Sequence, residues 1–307
     1  MATTRTNKVY VLAPGENWIV DRFVKEWNVD NADISVQRFN DADVIWLLSD
    51  WCWERVPYDA LRSKPVITTV HHIVPEKFNA QELTNFQHRD AVTDAYHVYN
   101  QRTLDFIHPL TEKPIHLIPY WANDRIWRPT DDRIALRKKH GLPLDAFIIG
   151  SFQRDTEGHD LASPKLEKGP DLLADFIATQ VHCHDMLHVL LAGWRRQYII
   201  SRLQDIRVPF TYIERPPHEV VNELYQTLDL YPVTARTEGG PQSLIECGLL
   251  NVPVVSRPVG IAEQVLPQSA IADDVSKAAA AVPNVDAWRL PAGYAAYRSL
   301  VEHVASK

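Results

Sequence analysis

The chain has 307 residues, 45% of them hydrophobic and 23% charged, with a formal net charge of -7. This length exceeds the usual size of one core and predicts two domains, the hydrophobic content excludes a disordered chain, and the acidic balance, with no Lys/Arg cluster interleaved with aromatics, argues against a nucleic-acid partner. No stretch approaches the roughly 20 apolar residues of a membrane span, and Met1 to Lys8 lack the apolar core of a secretory signal, so a cytoplasmic protein without stable membrane insertion is expected.

Strand-like runs alternate with helical ones along the chain, the pattern of parallel α/β layers. The first series places strands at Lys8 to Ala13, Val44 to Leu48, Pro65 to Val70, Ala95 to Val98 and Ile115 to Ile118, with helices near Ile19 to Trp27 and Gln101 to Ile107. A second series follows at Phe147 to Ser151, His188 to Ala192, Phe210 to Ile213, Leu228 to Val233 and Val254 to Ser256. The two series are expected to form the two domains. In the tail, 286–307, Tyr294, Tyr297, Leu300, Val301 and Val304 recur at helical spacing and suit packing back on the first domain. Cys52, Cys183 and Cys247 are widely spaced and form no Cys-x2-Cys pair, which suits buried thiols in a reducing compartment better than a disulfide framework or zinc ribbon.

Four places carry candidate chemistry. Val66 to Val70 lead into His71 and His72, so an imidazole at a strand end either hydrogen-bonds a ligand or merely closes the strand. Trp46, Trp51 and Trp53 are dense enough for stacking on a sugar. Packing explains Trp46 equally well, whereas Trp51 and Trp53 follow a strand. His182, Cys183, His184, Asp185 and His188 could be drawn as a metal site but fall between a helix and a strand, away from the strands' carboxyl ends, and no metal is expected there.

The fourth place is Thr234-Ala-Arg-Thr-Glu238-Gly-Gly-Pro-Gln-Ser-Leu-Ile-Glu246, a glycine turn between a buried strand and a helix. Gly239 and Gly240 let the backbone turn and approach a ligand, Pro241 suits the first helical position, and the amides of the helix start, including Gln242 and Ser243, would face an anion. Glu238 at the strand end and Glu246 in the second helical turn can each accept two hydrogen bonds, as neighbouring sugar hydroxyls require.

At these residues the chain resembles glycosyltransferase family 4, retaining nucleotide-sugar transferases of the two-lobed GT-B architecture. The Glu238 to Glu246 spacing is followed by Val252-Pro-Val-Val-Ser256 and Val259-Gly260-Ile-Ala-Glu263, and preceded by Glu214-Arg-Pro-Pro to Leu230, which looks like the family's base-binding loop, its helix and the strand feeding the motif. The resemblance is clearest from about residue 145 to 266. It implies two Rossmann-like parallel-sheet lobes, at 1–129 and 130–285, facing a central cleft and joined near Pro119 to Pro129, with acceptor binding in the first and donor binding in the second.

The resemblance further implies that Glu238, with the Gly239 and Gly240 amides, orients the sugar, that Glu246 holds the ribose, and that Tyr212 and Glu214 lie beside the base. Arg154 and Lys168, in Gly150-Ser-Phe-Gln-Arg154 and Glu167-Lys168-Gly169, would offset the leaving diphosphate, unless the long loop from Asp155 to Glu167 displaces either and Lys165 substitutes. His71 would serve the donor sugar or leaving phosphate. Gly15, Glu16, His72, Trp51 and Trp53 would face the acceptor, although only Gly15 remains of a commonly glycine-rich loop at Lys8 to Asn17.

The implied activity is metal-independent transfer of a sugar from a nucleoside-diphosphate donor to a glycan, lipid or small-molecule acceptor, with no cofactor. A nucleotide-sugar hydrolase or epimerase, or a silent nucleotide-sugar-binding scaffold subunit, would share the scaffold. A two-carboxylate glycosidase would leave the phosphate-binding features without a purpose. Charges of mixed sign throughout 1–129 do not suit the basic membrane helix many family members carry.

Overall fold

Short, mostly apolar runs, too short for helices and buried on both faces where they lie central in a sheet, form the strands. In the computed structural model, which describes residues 6–16 and 19–306, eleven strands of two to seven residues occur: β1 Val9–Val11, β2 Ser35–Val36, β3 Val44–Leu47, β4 Val66–Val70, β5 Ala95–Val98, β6 Ile115–Leu117, β7 Phe147–Ser151, β8 Leu187–Gly193, β9 Phe210–Glu214, β10 Tyr231–Val233 and β11 Val254–Ser256. Residues 1–5 of the stretch tested for a secretory signal, and Asn17 of the loop after the first strand, lie outside the described residues.

The chain divides into two compact units. The first runs to Tyr120 and resumes at Pro291, and the second is Trp121–Leu290. The expected boundaries near 129 and 286 lie several residues from these. Residues 121–129 go with the second unit because they dock on its helix His218–Gln226: Trp127 is buried edge-on against Tyr225 at 6.0 Å, and Asn222 exchanges hydrogen bonds with both the amide (3.2 Å) and the carbonyl (2.9 Å) of Arg128. The two crossing segments also pair, with the Ala122 amide donating to Trp288 O at 2.8 Å and the Leu290 amide to Ala122 O.

The first unit holds a six-stranded parallel sheet ordered β2-β1-β3-β4-β5-β6, in register at Ile45↔Val66, Thr68↔Tyr96 and Val98↔Leu117. Its central strands are wholly buried, yet they carry one polar line. Trp46 Nε1 can only donate and does so to Thr69 Oγ1 at 2.8 Å; the Ile118 carbonyl can only accept and takes the His97 Nε2 proton at 3.0 Å. The Thr69 hydroxyl must therefore donate to His97 Nδ1, 2.9 Å away. Burial pushes the His97 imidazole down to about 3, so it stays neutral.

Helix Ala295–Ala305 closes this line by burying Tyr297, Leu300, Val301 and Val304. The Tyr297 ring stacks on Trp46 with centroids 5.5 Å apart and meets His97 edge-on at 5.1 Å, while its hydroxyl donates to Pro119 O at 2.9 Å. Arg298 adds a paired contact to Asp33 at 3.0 and 2.6 Å.

The second unit has β7, β8 and β9 in one parallel sheet and β10 with β11 in another, linked by a parallel bridge between Ile149 and Leu230. Strand order is thus β9-β8-β7-β10-β11. The strand expected over Leu228 to Val233 begins only at Tyr231, because Asp229 and Leu230 bond to Ile148 of β7 before the chain shifts to β11. The core lies between this sheet and helices Pro170–Gln180 and Gln197–Asp205, where Ile149, Val189 and Leu191 pack on Leu173, Ile177, Ile199 and Leu203. Among the described residues no helix is long and apolar enough to cross a membrane.

The polar line makes stability in the first unit depend on pH with a definite sign. An unfolded His97 takes up its proton near 6.5 and the folded one only near 3, so stability falls as pH drops below 6.5, by about 1.4 kcal/mol per unit from this residue alone. Urea unfolding of the wild type and His97→Gln at about pH 7, 6 and 5 should give profiles that converge toward the acid side. Parallel profiles would show that His97 is not held neutral.

Candidate functional site

The start of helix Pro170–Gln180 is locked to the loop after β10 by a backbone contact. Gly169, in the left-handed region at φ 62°, precedes helix Pro170–Gln180, and a Cβ there would lie 2.0 Å from the Thr234 carbonyl oxygen. Only glycine permits both the conformation and the approach. The Thr234 hydroxyl donates to Gly169 O at 2.9 Å, and the Arg236 and Thr237 amides donate to Glu167 O at 2.8 and 3.2 Å. The Arg236 guanidinium grips Asp171 through two bonds of 2.8 and 2.6 Å and holds that carboxyl below its usual range.

This lock brings Lys168 and Glu238 together: the Lys168 ammonium donates to Glu238 Oε1, with both side chains mostly but not wholly covered. Gln153, after β7, donates to Lys168 O at 2.8 Å. The long loop from Asp155 to Glu167 does not displace Lys168, because a bridge between Thr156 and Pro164 pinches it shut; Lys165 instead faces Glu167 at 3.6 Å.

The glycine turn follows Glu238. Gly260, at φ 57°, abuts it so closely that a Cβ would lie 2.7 Å from Pro241 Cδ and 3.0 Å from Gly240 Cα. Pro241 is the residue before the helix and not its first member, since Gln242–Leu249 is the helical span, with Gln242 and Ser243 half-buried in its first turn. Glu246, one turn on, is buried and accepts the Tyr225 hydroxyl proton at 2.7 Å, and burial raises the Tyr225 phenol far above its usual value.

Arg154 is placed elsewhere. Its Nε donates to Thr156 O at 2.7 Å and its guanidinium lies 5.4 Å from the ring centroid of Trp194; no hydrogen bond or ion pair links it to Lys168 or Glu238. Tyr212 donates its hydroxyl to Gly193 O at 3.1 Å, and Glu214 is exposed at the end of β9. Three strand spacings, about 14 Å, separate β9 from β10.

In the first unit His71 Nε2 donates to Leu48 O at 2.8 Å, leaving Nδ1 as an acceptor, and burial pushes its pKa down. Its ring lies 5.7 Å from Trp51 and 5.2 Å from Tyr99, while His72 is exposed. Trp51 is half exposed and donates Nε1 to Glu16 at 3.1 Å. The Gly15 and Glu16 amides both donate to the Asp21 carboxylate at 2.8 Å. Trp53 departs from expectation: it packs against the core of Leu12, Ile45, Val56 and Leu61 rather than joining Trp51.

Cys183 is exposed, unlike the buried Cys52 and Cys247. His184 stacks on Phe147 at 3.8 Å and His188 bonds Thr211 Oγ1 at 2.9 Å, and among the described residues no group of three His, Cys, Asp or Glu is placed to hold a metal ion.

Sequence reasoning missed Arg196, Asp155, Tyr225 and Trp194. Arg196 and Asp155 are both fully buried and paired at 2.9 Å, with the remaining guanidinium donors on Ser151 and Ala192. Burial pushes the Asp155 carboxyl up, and Arg196 offsets part of that. The available signal was Gly193-Trp-Arg-Arg directly after a strand. Three guanidiniums, from Arg154, Arg195 and Arg215, surround Trp194 at 5.4, 5.1 and 4.7 Å, contacts of about 0.5–1 kcal/mol each at an exposed ring.

The fold has known counterparts. Anabaena HepE, solved in complex with UDP and glucose, superposes with a TM-score of 0.66 at 14% identity over 86% of this chain and 84% of that one. Sucrose-phosphate synthase from Thermosynechococcus elongatus gives 0.59 at 18% identity over 81% of this chain and 63% of its own, and a glycosyltransferase from Rickettsia africae gives 0.59 at 12% over 99% and 91%. No protein-family model matches the chain, and no curated protein matches it in sequence. At these identities the likeness is one of fold: an α/β architecture of parallel sheets shared with a glycosyltransferase, a sugar-phosphate synthase and a protein that binds UDP and glucose.

The backbone lock is directly testable. Gly169→Ala should destabilise the second unit by about 2 kcal/mol or more, through both the left-handed backbone and the overlap with Thr234. Urea denaturation measures this, and an unchanged midpoint would mean the two loops are not in contact.

Proposed function

We propose that the chain is a retaining, metal-independent glycosyltransferase of GT-B architecture, related to family 4, which moves a sugar from a nucleoside-diphosphate donor to an acceptor hydroxyl in the cytoplasm. The observation that carries this is the Lys168–Glu238 pair, set beside a glycine turn at the carboxyl end of a parallel strand, where open α/β sheets bind ligands. The likeness in fold to a protein solved with UDP and glucose supports a nucleoside-diphosphate sugar as the donor class.

Each side chain has a chemical reason for its role. A bound diphosphate draws the Lys168 ammonium, which then offsets the charge that grows on the leaving group, while donor-sugar hydroxyls take over the carboxylate it releases. Glu246, oriented by the Tyr225 hydroxyl, accepts from ribose hydroxyls. His71, neutral and fixed by its bond to Leu48, offers Nδ1 as an acceptor to a hydroxyl. Arg154, drawn onto Trp194, is not assigned to the leaving group.

In the proposed step the acceptor oxygen bonds to the anomeric carbon on the face the diphosphate leaves. The bond from that carbon to the phosphate oxygen breaks, and the acceptor's proton passes to the departing oxygen. Configuration is retained without a covalent intermediate. Positioning and electrostatics supply the rate.

A thermal-shift panel of uridine, guanosine and adenosine diphosphates and their sugars should find one base that stabilises the protein selectively. With that donor, Glu238→Ala should lower turnover about 10²-fold or more while nucleotide affinity holds. Glu246→Ala should weaken nucleotide binding about tenfold. Release of free sugar without an added acceptor would make the chain a hydrolase, and full activity in both variants would remove the site.

A further inference from the structure

Trp194 stands in the loop after β8 with its indole 40% exposed. The three guanidiniums around it come from three separate loops: Arg154 after β7, Arg195 after β8 and Arg215 after β9. Among the described residues none of the three is in an ion pair. The polar bonds of their guanidiniums go to backbone carbonyls, from Arg154 to Thr156 O and from Arg195 to Gly158 O. Arg154 and Arg195 are half-buried and Arg215 is exposed; like charges ordinarily move apart into water, and here they converge.

Two further observations single out this cluster. Arg195 and Arg215 are held in the left-handed backbone region, at φ 58° and 47°, which non-glycine residues adopt at a cost and which concentrates where function demands it. The Arg195 Nε is also buried and has no hydrogen-bond partner, a donor left without an acceptor.

The missing acceptor has to satisfy several forked donors and more than one positive charge. A carboxylate brings one charge and two oxygens. A phosphate monoester carries about -1.5 to -2 at neutral pH and three strong acceptor oxygens, and guanidinium forks fit it bidentately. We propose that the loops after β7, β8 and β9 form a phosphate-monoester site around Trp194, separate from the Lys168–Glu238 pair. The site stands whether or not the chain transfers sugar. Its ligand is either a phosphorylated sugar or a nucleoside monophosphate, which share the recognised group.

Fluorine NMR of the full chain labelled with 5-fluorotryptophan tests this, the Trp194 signal being the one absent from Trp194→Phe. Titration with inorganic phosphate, a hexose 6-phosphate and uridine monophosphate at constant ionic strength should move that signal saturably. The ester that does so at the lowest concentration identifies the source. In Arg195→Gln/Arg215→Gln the midpoint should rise about tenfold or more, with Lys168→Ala leaving it unchanged. A signal that no probe moves, that moves alike in the double variant, or that stops moving in Lys168→Ala would overturn the proposal.

Discussion

The approach of Gly169 to the Thr234 carbonyl, closer than a methyl group allows, is the constraint on which the second unit's functional end depends. It makes the start of helix Pro170–Gln180 and the loop after β10 one rigid piece, reinforced by the two amides on Glu167 O and the Arg236–Asp171 fork. Lys168 and Glu238 are seventy positions apart in the chain. They meet because neither loop can relax without breaking that backbone contact, so the charge arrangement is inherited from main-chain geometry.

A second device holds the neighbouring strand ends. Arg196 and Asp155 are buried completely, and the guanidinium's other donors go to Ser151 and Ala192 at the ends of β7 and β8. Removing one partner of such a pair costs about 3–5 kcal/mol, since the other is left charged and dry. Arg154 and Arg195, each next in sequence to a member of that pair, carry their charge on partly solvated Trp194 instead. Burial decides which arginine holds the scaffold and which remains available to a ligand. In the first unit the line of Trp46, Thr69 and His97 holds strands without ions, each donor of the line meeting an acceptor.

Strands β3, β4, β5 and β7 were legible because each is a short run dominated by apolar and β-branched residues and bounded by polar turns. Strand β2, only Ser35–Val36 at the sheet edge, has no such run, and Leu228 to Leu230 read as strand although the last two of them pair with β7 before β10 begins. Trp53 and Trp51 are indistinguishable by residue type and spacing, yet one lies against the core and the other on the surface, since a short 3-10 helix from Asp50 to Arg55 turns them to different sides.

The sequence by itself determined the parallel α/β class, the alternation of strands and helices, and the carboxylates and glycines of the turn at Glu238, because these rest on periodicity and on what individual residue types can do locally. Only the tertiary structure decided that Lys168 meets Glu238, that Arg154 goes to Trp194, that Tyr212 and Glu214 sit three strands from β10, and that residues 121–129 belong with the second unit. Each of those depends on strand order and on loops of very different length folding over one sheet end, and neither quantity is written in the spacing of nearby residues.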